Sequence, residues 1–178
     1  MNSEKYNSVK ILIFCDYYLP GYKGGGPIRT LSNVIERFGD EFNFNVITRD
    51  RDCGDKAPYL GIEADCWTKF EKSEVYYLSP GNSSLSQITK LVEDNKPDLI
   101  YLNSFFSWDF TIKPLLLRCI GLIPKNTPLI LAPRGEFSVG AYNLKSYKKK
   151  SYILLAKLLG LCNNLIWQAS SQFEKEDI

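Results

Sequence analysis

Residues 9–38 read VKILIFC DYYLP GYKGGGPIR TLSNVIERF. The opening run, Val9 to Cys15, is short, β-rich and apolar, as a strand buried on both faces should be. The closing run, Pro27 to Phe38, sets Ile28, Leu31, Ile35 and Phe38 at helical spacing, with Arg29, Asn33 and Glu36 between them. Gly21 to Arg29 joins the two. A strand that turns through glycines into a helix is the opening unit of a nucleotide-type α/β domain. Gly24, Gly25 and Gly26 let the backbone approach another molecule, because no Cβ stands in the way. Pro27 suits the first helical position, where its missing N–H costs nothing. The helix then turns unpaired N–H groups and the positive end of its dipole toward the loop, a seat for phosphate or for an oxygen carrying developing charge. The spacing is not G-x-G-x-x-G, and no Lys-Ser or Lys-Thr follows as a Walker A loop requires.

Outward from this unit the pattern repeats. Gly39 is expected to stop the first helix, and Asn45 to Thr48 reads as a second strand. Arg49 to Lys72 is long and mixed and reads as mostly loop or as holding a short helix. Glu74 to Leu78 is a third strand, followed by a helix marked by Leu85, Ile88, Leu91 and Val92, with Ser83 or Ser84 as its cap. Asp98 to Leu102 is a fourth strand, Asn103 to Asp109 an aromatic loop, and Phe110 to Ile123 helical. Pro128 to Leu131 is a fifth strand ending in Ala132-Pro133-Arg134-Gly135-Glu136. Leu144 to Leu159 reads as a helix and Asn164 to Ala169 as a sixth strand. Ser171 and Glu174 fit a capping box opening a last helix. Strands alternating with helices of this length predict a Rossmann-like, doubly wound α/β fold with a mostly parallel sheet. Ligands of such sheets bind at the carboxyl ends of the strands. That puts the glycine loop, Arg49-Asp50, the aromatic loop and the Arg134 loop on one rim. A final helix of under two turns is marginal alone, so a further domain is expected after Ile178.

The 178 residues have an ordinary globular composition, and their net charge of +2 gives no overall pull toward nucleic acid. No run approaches the roughly 18 apolar residues of a membrane span, and no cleavable leader is read at the polar start. The five cysteines lie outside any C-x-x-C pair, so neither a disulfide framework nor a zinc site is expected. Histidine is absent, which removes Ser-His-Asp and Cys-His chemistry. A reducing cytoplasmic setting is expected, with no bound metal or cofactor.

Three segments carry a resemblance. They are DYYLPGYKGGGPIRTL at Asp16 to Leu31, APRGEFS at Ala132 to Ser138 with the lysine-rich helix after it, and ASSQFEKEDI at Ala169 to Ile178. Their order and spacing resemble the N-terminal half of GT-B-fold retaining glycosyltransferases of family four. The resemblance implies transfer of a sugar from a nucleotide-sugar to a hydroxyl of a glycan or lipid-linked glycan, with retention at the anomeric carbon. It implies that residues 1–178 form the acceptor-binding domain. The nucleotide-sugar would be held mainly by a C-terminal domain outside this chain, and the chain alone would be inactive. Two positions depart from the family. Asn103 and Gln168 stand where members often carry histidine; both hydrogen-bond and neither titrates.

The candidate catalytic residues are Gly25, Gly26 and Arg134; the candidate substrate-binding residues are Asp16, Gly24, Arg29, Asn103, Phe105, Trp108 and Gly135. Backbone N–H groups of the glycines would stabilise phosphate or orient the acceptor. Arg134 would grip a phosphate or acidic sugar with two donors, or form an ion pair with Glu136 or Asp109. Phe105, Phe106 and Trp108 offer faces to a sugar ring, or plug the core beneath the rim. Asp16 would accept from the acceptor, or cap the glycine turn. Lys145, Lys148, Lys149 and Lys150 precede a leucine-rich stretch. They would touch an anionic membrane at its inner face, or be solvated above a helix packed on the sheet. Two other functions stand beside the leading one: a docking subunit of a split transferase, and a dinucleotide-binding domain, which the glycine spacing disfavours.

Overall fold

The computed structural model describes residues 8–138, 140–141 and 146–178. Seven strands form one sheet: β1 (Lys10–Cys15), β2 (Asn43–Arg49), β3 (Trp67–Phe70), β4 (Ser73–Leu78), β5 (Leu99–Asn103), β6 (Leu129–Ala132) and β7 (Ile166–Trp167). Their order across the sheet is β3-β4-β2-β1-β5-β6-β7, and every pair is parallel except β3 with β4. The helices are α1 (Gly26–Phe38), α2 (Leu85–Asn95), α3 (Lys113–Cys119), α4 (Ser146–Leu158) and α5 (Gln172–Asp177), with one π-helical turn (Trp108–Ile112) leading into α3. This is a Rossmann-like α/β fold. Among the described residues no helix is long and apolar enough to cross a membrane.

The alternation of side chains along β1 explains the two layers. Leu12 and Phe14 point to one face, where Ile88 and Leu91 of α2, Leu115 of α3 and Ala156 of α4 cover them. Ile13 and Cys15 point to the other, where Leu31 and Ile35 of α1 pack. Burying each of the leucine, isoleucine and phenylalanine side chains among them is worth roughly 1.5–3 kcal/mol relative to exposure. The chain runs from β1 toward β2 and β4, then α2 carries it back across to β5 on the far side of β1. The direction of winding therefore reverses between β1 and β5, and there the carboxyl ends of the strands open a crevice.

Several expected boundaries shift. Gly26, not Pro27, opens α1, so Pro27 sits one place further in. Gly39 ends α1 with right-handed torsions; its glycine is a matter of space, since a Cβ would press on the Ile35 carbonyl and on Lys72, each 2.6 Å away. The stretch from Arg49 to Lys72, read as mostly loop or as holding a short helix, contains β3, which pairs antiparallel with β4 through a two-residue turn at Glu71 and Lys72. The helix read as Phe110–Ile123 is a π turn followed by α3, which ends at Cys119. The sixth strand read as Asn164–Ala169 shrinks to the two residues of β7. Leu144 and Lys145, read as the start of the lysine-rich helix, lie outside the described residues.

Candidate functional site

The glycine loop is fixed from below by an aspartate that no local motif marks. Asp52, 4 % exposed, accepts from the N–H groups of Tyr22 (2.8 Å), Lys23 (3.0 Å) and Cys53 (2.7 Å). Asp16 therefore does not cap the turn. Burial works to raise the Asp52 carboxyl, and the three backbone donors outweigh it, so its pKa is lowered. In the unfolded chain this group binds its proton near pH 4. The stability it confers is therefore complete above that value and is lost as pH falls through the lower, folded pKa. Asp52→Asn should cost about 1–3 kcal/mol at neutral pH and flatten the decline of Tm in acid. Equal acid slopes for the variant and the parent protein would reject this role.

The three glycines serve different ends. A Cβ on Gly24 would meet Ile28 at 2.9 Å and Tyr17 at 3.1 Å, so its requirement is internal packing. Gly25 has φ 72° and ψ −134°, which no L side chain adopts without strain, and it serves as the N-cap of α1. Gly26 is helical and exposed, and a Cβ there would meet nothing within 4 Å. No side chain caps this helix, and Pro27 has no N–H to offer. The amides of Gly26 and Ile28 thus have no acceptor among the described residues; Gly26 is exposed, whereas Ile28 is buried. Arg29, one position further, is exposed and forms no ion pair among them.

Across the crevice, the exits of β5 and β6 are strained. Ser104 has φ 118° and Arg134 φ 59°, followed by Gly135 at φ 75°. Such torsions persist only where surrounding contacts over-determine them, and two carboxylates do so here. Glu136 accepts from the Ser104 hydroxyl (2.8 Å) and from the N–H groups of Phe105 (2.5 Å) and Phe106 (3.2 Å). Glu174 of α5, 5 % exposed, accepts from the N–H of Gly135 (2.6 Å) and from the N–H (2.6 Å) and hydroxyl (2.5 Å) of Ser170. Ser171 caps α5 as expected, accepting from the Glu174 N–H at 3.1 Å. The Glu174 side chain, however, reaches past the cap to the Arg134 loop. Its pKa is lowered: burial works upward, and the Ser170 and Gly135 donors prevail.

So held, Arg134 lies along the sheet face. Its Nε donates to Asn103 Oδ1 (2.5 Å) and its Nη2 to the Tyr101 hydroxyl (2.6 Å), which itself donates to Gln168 Oε1 (2.6 Å). Asn103 and Gln168 are thus joined through Arg134 and the Tyr101 hydroxyl. Arg134 has no carboxylate within 4.0 Å among the described residues, and the ion pair with Glu136 or Asp109 does not form. Glu136 is taken by the β5 exit. Asp109 accepts from Lys113 (2.6 Å), Ser83 (2.7 Å) and Arg49 (3.4 Å). Of the five guanidinium donors, three have no partner among the described residues.

The remaining candidates separate. Asp16 accepts from Arg49 Nη2 (2.9 Å) through Oδ1, while Oδ2 has no partner among the described residues. Phe105 is 3 % exposed and packs among Phe106, Phe137, Tyr152 and Trp167, so it plugs the core and offers no ring face to a ligand. Gly135 has given its N–H to Glu174, and Asn103, buried, acts through Arg134. Trp108 is exposed at the start of the π turn. Cys15 at the end of β1 is no nucleophile, since burial pushes its thiol up to about 12.

A groove of about 380 Å³ runs from Thr30 and Val34 of α1 over Ile11 and Ile13 to Tyr101, Arg134 and Gln168. A wider hollow of about 600 Å³ lies at the opposite edge, where the strands begin. Its Lys10, Lys69 and Lys72 are offset by Asp40, Glu71 and Glu74, and its left-handed residue, Glu71, belongs to the turn from β3 to β4. Among the described residues no cluster of three or more His, Cys, Asp or Glu stands ready for a metal ion. No protein-family model matches the chain, and no curated protein matches it.

Proposed function

We propose that this chain is the acceptor-binding half of a retaining glycosyltransferase. In this reading it forms one wall of a cleft that a nucleotide-sugar-binding domain closes, and it is silent alone. One observation carries the reading. The exposed, unpaired amide of Gly26 at the start of α1 and an arginine without a carboxylate partner among the described residues lie on the side of the sheet where its winding reverses. Two such groups suit the phosphate that leaves a nucleotide-sugar. The bond from the anomeric carbon to the phosphate oxygen breaks, and a bond to the acceptor oxygen forms on the same face. The acceptor proton passes to a phosphate oxygen, so no titrating side chain is required at Asn103 or Gln168. The helix dipole, the Gly26 amide and Arg134 offset the charge that builds on that phosphate. Asp16 Oδ2 accepts from the acceptor hydroxyl and orients it.

A dinucleotide-binding reading has the strand order in its favour. Against it, β2 ends in Arg49, bound to Asp16, and the acid that follows, Asp50, is buried and paired with Arg51 rather than open to a ribose. Titration of the 15N-labelled chain with inorganic pyrophosphate tests the proposal. The amide signal of Gly26 and the Arg134 side-chain signal should move together along one binding curve. Signals that stay fixed, or shifts confined to the hollow at the amino-terminal edge, would refute it.

A further inference from the structure

The sequence leaves two places for the leucines of the lysine-rich helix, packed on the sheet or against a membrane. Among the described side chains of α4 only Ala156 is fully buried, with Tyr152 and Ile153 half-buried beside it. Tyr147 (83 %), Leu154 (61 %) and Leu158 (75 %) are exposed, and their spacing of seven and four residues puts them on one outward stripe. Leu155 and Leu159 flank that stripe, each close to half exposed. The Cys119 thiol donates to the Leu159 carbonyl at 3.5 Å, which brings the exposed Ile120 and Leu122 of the next turn alongside. An exposed apolar stripe such as that of Tyr147, Leu154 and Leu158 marks an interaction site.

Its charge says what it meets. Residues 110–173 contain nine Lys and Arg and a single acid, Glu136, whereas the rest of the chain holds thirteen basic and nineteen acidic residues. Lys148, Lys150 and Lys157 of α4 are exposed beside the leucines. Lys149 is turned inward, donating to the Ala141 carbonyl (2.6 Å) and lying 4.7 Å from the centre of the Phe106 ring, and does not belong to this surface. Arg118 is likewise spent on the carbonyls of Pro124, Lys125 and Thr127. A second copy seated on the same patch would set Lys148 and Lys150 against like charges, with Asp177 lining a pocket beside Lys157 only, which opposes a two-fold dimer. A fluid bilayer with anionic headgroups answers both parts: the leucines enter the acyl boundary without needing a shaped partner, and the lysines meet the headgroups.

We propose that the outward face of α4, together with the turn after α3, seats the protein on an anionic membrane surface. The inference goes beyond the sugar-transfer reading and does not rest on it. The test is flotation of the chain with vesicles of phosphatidylcholine alone or mixed with phosphatidylglycerol, at low and high salt. The chain should float with the mixed vesicles at low salt and come off as salt rises. Lys148→Gln, Lys150→Gln and Lys157→Gln together should weaken binding on the order of a hundredfold. Leu154→Gln with Leu158→Gln should weaken it at least roughly tenfold. All these positions are exposed, so thermal unfolding should be unchanged. Absence of flotation at low salt overturns the proposal, as does equal binding to uncharged vesicles. A leucine variant that floats like the parent protein overturns it too. So does a dimer in solution that Leu158→Gln dissociates, since the face would then be a protein interface.

Discussion

On the sugar-transfer proposal, replacing Arg134 with alanine in a protein carrying both proposed domains should lower kcat/KM by roughly 10²–10³-fold, the range seen when one preorganised donor to a developing oxyanion is lost. The chain should stay folded. The change removes hydrogen bonds to Asn103 and Tyr101 and leaves alanine with the left-handed backbone of Arg134. Together these cost about 1–3 kcal/mol, within the stability of an ordinary domain. Arg134→Lys separates charge from geometry. It keeps a cation but loses the fork that binds Asn103 and Tyr101 while aiming its remaining donors at the rim. Transfer should therefore remain well below that of the parent protein. Steady-state rates, set beside thermal unfolding of the same variants, make the comparison. Unchanged turnover by Arg134→Ala would remove this residue from the chemistry.

Much of the fold is legible because its signals are local. The apolar run of β1, the helical spacing of Ile28, Leu31 and Ile35, and the Ser84 and Ser171 caps are each settled within a few residues. β3 escapes because Trp67–Phe70 turns into β4 through Glu71 and Lys72, with no Asn-Gly or Asp-Gly to announce a hairpin. Glu71 takes the left-handed conformation itself. The leucines of α4 mislead for a different reason: periodicity says that a side is apolar but not whether anything covers it.

The candidate site divides along the same line. The glycine bend is visible in sequence, since a single tight turn does not need three adjacent glycines. Its anchor, Asp52, lies 29 and 30 residues from the amides it holds. Arg134 is visible as a rim arginine, but its partners Asn103 and Tyr101 are 31 and 33 residues away. Glu174 could be read as a capping residue, and its hold on Gly135 across 39 residues could not. Contacts of that span are set by the sheet order, and no local pattern encodes them.

At the centre of the proposed site, neither packing nor backbone torsion requires the glycine at Gly26. Gly24 is required by packing and Gly25 by its backbone, but nothing among the described residues forbids a methyl group at Gly26. Alanine also favours a helix over glycine by up to about 1 kcal/mol. Gly26→Ala should therefore leave the protein as stable as before, or slightly more so. A Cβ at that point would stand beside the open amide and hold a phosphate away from it. Sugar transfer by a protein carrying both proposed domains, measured on Gly26→Ala beside its thermal unfolding, is the direct test. The expected result is a fall of roughly tenfold or more in kcat/KM with Tm held or raised. Full transfer by a stable Gly26→Ala protein would contradict the proposed role of the bend.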